Sequence, residues 1–230
     1  MGQQPQSNGA MNSPEPPQAP QTPMTRLIGT LALAGAMAGL LIVVVYELTL
    51  PAIEEKRARE LAEGVGAVLQ QPASFKTLHL YEGQLVEDLP EGVDPRGIER
   101  IYLGFREDGS RIGFAIPAAE PGYVDYIGII FGYDPETREV LGMRVLESNE
   151  TPGLGDKIET DEGFLSTLIG GRVPLKGVSP GTAEEPDEVN MITGATISAR
   201  TVVQAINKAI ERWEPYLEDY RESPAEDGAR

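Results

Sequence analysis

From Leu27 to Tyr46 the chain reads LIGTLALAGAMAGLLIVVVY, twenty residues without a charge. At a rise of about 1.5 Å per residue such a run matches a hydrocarbon core of roughly 30 Å, so the pattern predicts a transmembrane helix over residues 26–48. A secretory leader would have a shorter apolar stretch, about 7 to 15 residues, behind a basic segment and ahead of a small-residue cleavage site. Beyond Pro51, apolar residues at Ile53, Leu61, Val65 and Val68/Leu69 recur near helical spacing among charges, which predicts a stalk helix over 49–71. The pattern then changes period. IYLGF and IGFAIP flank the turn sequence Glu107-Asp108-Gly109-Ser110, and VDYIGIIFGY and EVLGMRVL flank Asp134-Pro135-Glu136-Thr137, so two β-hairpins are expected. A short helix around Glu162–Ile169 and a Gly/Pro-rich loop through Gly181–Pro186 follow. In the last helix Val202/Val203, Ile206, Ile210 and Trp213 recur every three or four residues, and Pro215 is expected to end or kink it. The expected fold is therefore α+β, an antiparallel sheet flanked by helices, on one N-terminal transmembrane helix.

Composition narrows the chemistry. Residues 1–25 are rich in Pro, Gln and Ser and poor in large apolar side chains, which reads as a disordered tail, and 223–230 reads as a flexible C-terminal tail. The folded domain is expected over 72–222. With no Cys and a single His, His79, the chain lacks thiolate chemistry, Cys-type metal sites and a Ser/His/Asp triad. His79 itself reads as an ordinary strand or loop residue. The net charge of -17 repels phosphate backbones and argues against nucleic acid as a partner. The acidic run Glu184-Glu185-Pro186-Asp187-Glu188 lacks the spacing of a calcium loop and reads as solvated surface, so no metal site is expected. Around the apolar run, Arg26 stands on one flank and Lys56, Arg57 and Arg59 on the other, interleaved with Glu54, Glu55 and Glu60, a count that does not fix the orientation.

Two segments have the composition of a ligand site. Asn190-Met191-Ile192-Thr193-Gly194-Ala195-Thr196-Ile197-Ser198 sits immediately before the last helix, its backbone amides offer an anion site, and Gly194 and Ala195 leave the Thr196 hydroxyl open to a bulky phosphorylated group. The alternative for Thr193 or Thr196 is a plain N-cap. Glu150-Thr151-Pro152-Gly153-Leu154-Gly155-Asp156 follows the strand EVLGMRVL and sets an apolar Leu154 between two glycines, where backbone and one aliphatic side chain can press on a flat ring; a simple Pro-Gly turn is the alternative. Lys157 could pair with a phosphate or ring carbonyl, or form a surface ion pair. Tyr123 and Tyr126 could touch such a ring, although alternating strand aromatics usually pack.

In this order and spacing, GYVDYIGIIFGYDPETREVLGMRVLESNETPGLG followed by Thr193-Gly194-Ala195-Thr196 resembles the covalent FMN-binding domain family, found in the G subunit of the Rnf electron-transport complex and the C subunit of the sodium-pumping NADH:quinone oxidoreductase. Ser148 and Asn190 stand where members often carry a histidine and an acid. The resemblance implies FMN held by a phosphoester to Thr196 and installed by a flavin transferase from FAD. Glu150, Thr151, Gly153, Leu154, Lys157, Thr193, Gly194 and Ala195 would then be the cofactor-binding residues. It further implies an electron-transfer flavoprotein subunit of an ion-translocating oxidoreductase in the inner membrane, of the Rnf type, with Nqr C as the near alternative. Such a subunit has other complex subunits as partners, no independent turnover, its first residues in the cytoplasm and its C-terminal domain in the periplasm. A membrane-anchored flavin redox regulator and a flavin-free tethered scaffold are the rivals from other classes.

Overall fold

The computed structural model describes residues 23–222; both expected tails, 1–25 for all but its last three residues and 223–230, lie outside the described residues. Two compact units divide at Glu54/Glu55. In the first, helix α1 (Met24–Val68) begins, and its Met24–Ile53 portion is long and apolar enough to cross a membrane. Its side chains, Leu31, Leu40, Leu41 and Ile42 among them, are exposed along this length, as expected of a surface meant for lipid.

The second unit is built on a six-stranded antiparallel sheet in the order β2-β1-β3-β4-β5-β6. Its strands are β1 (Ser74–Tyr81), β2 (Gln84–Val86), β3 (Arg100–Phe105), β4 (Arg111–Pro121), β5 (Tyr126–Asp134) and β6 (Glu139–Glu147). The two hairpins expected from the turn sequences are β3–β4 and β5–β6. Strand period two divides the buried residues between the faces. Ile101, Leu103, Phe114, Ile116, Ile127, Ile129, Phe131 and Tyr133 join the main core, whereas Tyr102, Ala115 and Ile130, one residue out of phase, face the other way.

Each face is covered by a helix. On the second face lies the C-terminal end of α1, with Val65, Val68 and Leu69 buried against Tyr102, Ala115 and Ile130. The sheet makes room for it with glycine: Gly132 and Gly142 are register partners, a methyl on Gly132 would drive into the Val68 carbonyl, and one on Gly142 would lie 3.0 Å from Val68 Cα. The residues expected to form a stalk over 49–71 are helical through Val68, but the last turn is part of the domain core, because its Val and Leu side chains find a glycine-floored seat. The core of the domain thus draws on residues before 72.

The main core is closed by α2 (Glu162–Leu168), capped by Asp161 accepting from the Phe164 amide at 2.9 Å, and by α3 (Thr196–Glu222). Pro215 does not end α3, which continues to Glu222, about two turns past it. Leu217 is fully buried, and Tyr220 meets Phe114 edge-on at 6.2 Å, so packing outweighs a break that costs roughly 3 kcal/mol. The stretch expected as loop around 181–186 is bracketed by a small parallel pair, β7 (Lys176–Val178) and β8 (Glu188–Asn190). Asn207 of α3 holds the chain entering β7 by a two-way bond to the Leu175 backbone, 2.8 and 2.9 Å. β8 delivers the chain to the start of α3.

Candidate functional site

Asn190 closes β8 and fixes the loop that leads into α3. Its side-chain oxygen accepts from the amides of Thr182 and Ala183, each at 3.0 Å, and its own amide donates to Thr167 Oγ1 at 3.0 Å. For this side-chain oxygen the role is that of an acceptor only, one that a carboxylate oxygen would also fill. The chain then turns through Ile192 and Gly194, with the Ala195 amide bonded to the Ile192 carbonyl at 3.1 Å. Gly194 sits at φ +82°, a left-handed conformation that favours glycine.

Thr196 opens α3 and is exposed. Its hydroxyl donates backward to the Ile192 carbonyl at 3.2 Å, and among the described residues no α3 amide donates to the side-chain oxygen of Thr193 or Thr196. Neither threonine therefore acts as the N-cap. The first amides of α3 have no intrahelical acceptor, and together with the helix dipole they favour an anion at this end.

The Glu150–Gly155 segment comes to the same place. The amides of Leu154 and Gly155 both donate to the Thr151 carbonyl, at 3.1 and 3.0 Å, and Gly153 at φ +78° completes the tight turn before a 3₁₀ turn over Gly155–Glu159. Leu154 is 48% exposed, and a methyl on Gly194 would lie 3.7 Å from its Cδ2. Two motifs forty residues apart thus meet, leaving an aliphatic side chain, a bare glycine and an exposed threonine side by side. Lys157 lies within the 3₁₀ turn, partly buried, and has no ion-pair partner among the described residues.

Beneath these residues runs a buried polar network. Glu150 is 8% exposed; its Oε1 accepts from the amides of Tyr123 (2.8 Å) and Val124 (2.9 Å), and its Oε2 from the Ser198 hydroxyl (2.6 Å). Burial pushes the carboxyl up, but the Ser198 hydroxyl and the backbone amides of Val124, Tyr123 and Asp125 outweigh it and hold Glu150 below the ordinary carboxylate range, ionised at neutral pH. Thr201, one turn further along α3, donates to the Pro121 carbonyl at 3.0 Å. Ser148 accepts from the Glu150 amide at 3.3 Å. The turn so anchored displays Tyr123, Val124 and Tyr126 to solvent, and Ile197 beside Thr196 is also exposed.

Glu150 is among the residues expected from the sequence to bind a cofactor, and in the structure its oxygens are engaged by protein donors. Ser198, the last residue of the segment read as an anion site, and Thr201 had no individual role assigned from the sequence. Their signal was available in the helix register, since both are small hydroxyl residues on the inward face of an amphipathic helix, where apolar residues are the rule. His79 lies in β1, and no group of acids or histidines able to hold a metal occurs among the described residues.

The exposed apolar rim, the open glycine and the anion-favouring helix end fit a large phosphorylated planar group such as a flavin mononucleotide. Comparison with known proteins points the same way. The FMN-binding domain family matches residues 122–211, a span that begins at the glycine before Tyr123 and ends within α3. The G subunit of the ion-translocating oxidoreductase complex of Aliivibrio fischeri strain ES114 is 30% identical over 200 residues, covering 84% of this chain and 92% of that one. The Salmonella typhimurium subunit of the same name is 32% identical over 78% of this chain and 86% of that one, and the Methanosarcina acetivorans one 27% identical over 82% and 93%. The crystal structure of NqrC from Shewanella oneidensis shares the fold, with a TM-score of 0.63 at 21% identity, over 74% of this chain and all of that one.

Proposed function

Since the chain belongs to the family of G subunits of ion-translocating oxidoreductase complexes, we propose that it carries FMN covalently on Thr196 and relays electrons between neighbouring subunits, with no turnover of its own. The observation that carries the attachment site is the meeting of Leu154 with Gly194 beside an exposed Thr196 at the start of α3. FMN, when bound, supplies the electron-accepting and electron-donating chemistry that a chain without Cys does not. The protein's part is placement. Leu154 offers an aliphatic surface to one face of a ring, Thr193, Gly194 and Ala195 leave the approach to Thr196 open, and Thr151 and Gly153 shape the turn that presents Leu154. The amides of α3 favour the phosphate by roughly 0.3–1 kcal/mol, with the Lys157 ammonium as a second source of positive charge.

Maturation requires the Thr196 hydroxyl to lose its proton and form a bond to phosphorus while the pyrophosphate bond of FAD breaks and AMP leaves. A flavin transferase is the partner for this step. Its action outside the cytoplasm sets the domain after α1's apolar portion on the periplasmic side, with that portion as a single-pass anchor in the inner membrane. The test of the attachment is the mass of the denatured polypeptide. The wild-type chain is expected to carry one FMN-sized adduct and flavin fluorescence that migrates with it, and Thr196→Ala to lose both while staying folded, since its hydroxyl makes only the bond to Ile192. An adduct that persists in Thr196→Ala refutes the site; a wild-type chain without flavin favours a tethered scaffold instead.

A further inference from the structure

Glu150 is the one acidic side chain buried among the described residues, and it has no cationic partner there. Three neutral donors satisfy it instead, two amides from one turn and one hydroxyl from α3. Two glycines make space for it. A methyl on Gly122 would lie 2.6 Å from Glu150 Oε1, and one on Gly155 would lie 2.5 Å from Oε2. Five positions in three segments are therefore fitted around one carboxylate. The same segments are tied again at their margins, by Asn149 Nδ2 donating to Asp125 Oδ2 at 2.9 Å and by Thr201 donating to the Pro121 carbonyl.

A buried charge without a counter-ion is an expensive way to join loops, and an apolar contact would serve a merely structural purpose better. The side chains that the junction holds in place are also unusual: Tyr123, Val124, Leu154 and Ile197 are apolar and exposed, so fixing them adds nothing to the core. We infer that Glu150 is a positioning residue whose carboxylate clamps the Gly122–Tyr126 turn, the 148–155 loop and the first turn of α3 into one frame, and that it acts on the cofactor through Leu154 and Thr196 and not by touching it. The inference rests on the reading that Thr196 carries FMN. An acceptor with two oxygens is what the junction needs, because all three partners donate. Glutamine keeps one such oxygen for the two amides, and its NH2 can donate to Ser198 once that hydroxyl turns, so the amide isostere preserves the frame while alanine removes it.

The experiment uses the full chain in detergent, co-expressed with a flavin transferase, as wild type, Glu150→Ala, Glu150→Gln and Ser198→Ala. Two readouts are taken: hydrogen exchange at the Tyr123 and Val124 amides, also in flavin-free Thr196→Ala chains, and the visible circular dichroism and fluorescence anisotropy of the flavin. Glu150→Ala is expected to speed exchange at both amides at least ten-fold with or without flavin, and to reduce the flavin dichroism at least two-fold. Glu150→Gln restores most of both. Ser198→Ala leaves the two amides protected but alters the flavin dichroism. A wild-type flavin spectrum in Glu150→Ala overturns the inference, as does a Glu150→Gln chain as disturbed as the alanine one. If Glu150→Ala does not fold, Ser198→Ala decides, and an unchanged flavin spectrum there overturns it. A wild-type chain with no flavin after denaturation sinks the attachment alone, and amide exchange in the flavin-free chains still decides whether the clamp exists.

Discussion

At Leu154 nearly half of an aliphatic side chain is left in water by a turn that several backbone hydrogen bonds hold rigid. Because it contributes little to the core, Leu154→Asp is expected to fold with wild-type stability, within about 0.5 kcal/mol for a surface position. A carboxylate is poorly placed against an apolar ring, so the same variant is expected to lower flavin content or shift the flavin midpoint potential. Absorption and potential both unchanged would remove Leu154 from the site. His79 makes a second, unrelated prediction. Its Nδ1 is buried with no hydrogen-bond partner among the described residues, and burial first, then the Arg100 charge, pushes its pKa below the ordinary 6.5. The unfolded chain therefore takes up this proton before the folded one does. The stability linked to His79 is complete above about pH 6.5 and drains as pH falls through the lowered folded value. His79→Gln is expected to flatten the decline in urea midpoint between about pH 7 and 5; an identical decline in both chains would show that other groups set it. Single-residue roles of this sort were the least legible in the sequence, since Glu150 and Ser198 lie 48 positions apart and nothing local announces that they meet.

Elements were easier to read where a single period held. The β3–β4 and β5–β6 hairpins followed from alternating apolar residues around turn sequences, and α3 from its stripe. The parallel β7–β8 pair escaped because three-residue strands carry too little period to register, and that the helix runs on past Pro215 is not legible because local propensity says nothing about Leu217 and Tyr220 beyond it. The end of α1 escaped for a related reason: its seat is defined by absences, the missing side chains of Gly132 and Gly142 on distant strands. That seat can be tested at the element level. Gly132→Ala forces a methyl against the Val68 backbone, which cannot move without unseating the helix end, and is expected to cost about 1–3 kcal/mol as an overpacked core. Gly66→Ala, in the same helix with open space around it, should instead stabilise by roughly 0.5–1 kcal/mol. Chemical denaturation of the two variants checks both signs, and a neutral Gly132→Ala would mean that the helix end does not lie where the structure sets it.

For the whole molecule, the legible part was the order of materials along the chain: an apolar span, a sheet, then a helix carrying the motif that ends the site. Sidedness was not legible, because Lys56, Arg57 and Arg59 oppose Arg26 in a naive count and are diluted by neighbouring acids. The proposed route by which Thr196 gains its flavin requires the periplasmic side. A reporter active only in the periplasm and fused after Arg230 is therefore expected to be active, and a cytoplasm-only reporter silent; the reverse pattern would reject both the topology and that route. The joints that complete the site span 48 residues between Glu150 and Ser198 and 80 between Pro121 and Thr201, whereas neighbouring strands β3 to β6 pair through short turns. Loop closure over such distances is slow relative to hairpin formation, so the sheet can assemble while the site is still open. On the proposed attachment, Thr196 would become a proper acceptor only once the last helix has closed over the sheet. Covalent flavin would then serve as a record of completed folding, stamped on a chain after its farthest ends have met and withheld from one that stalled before.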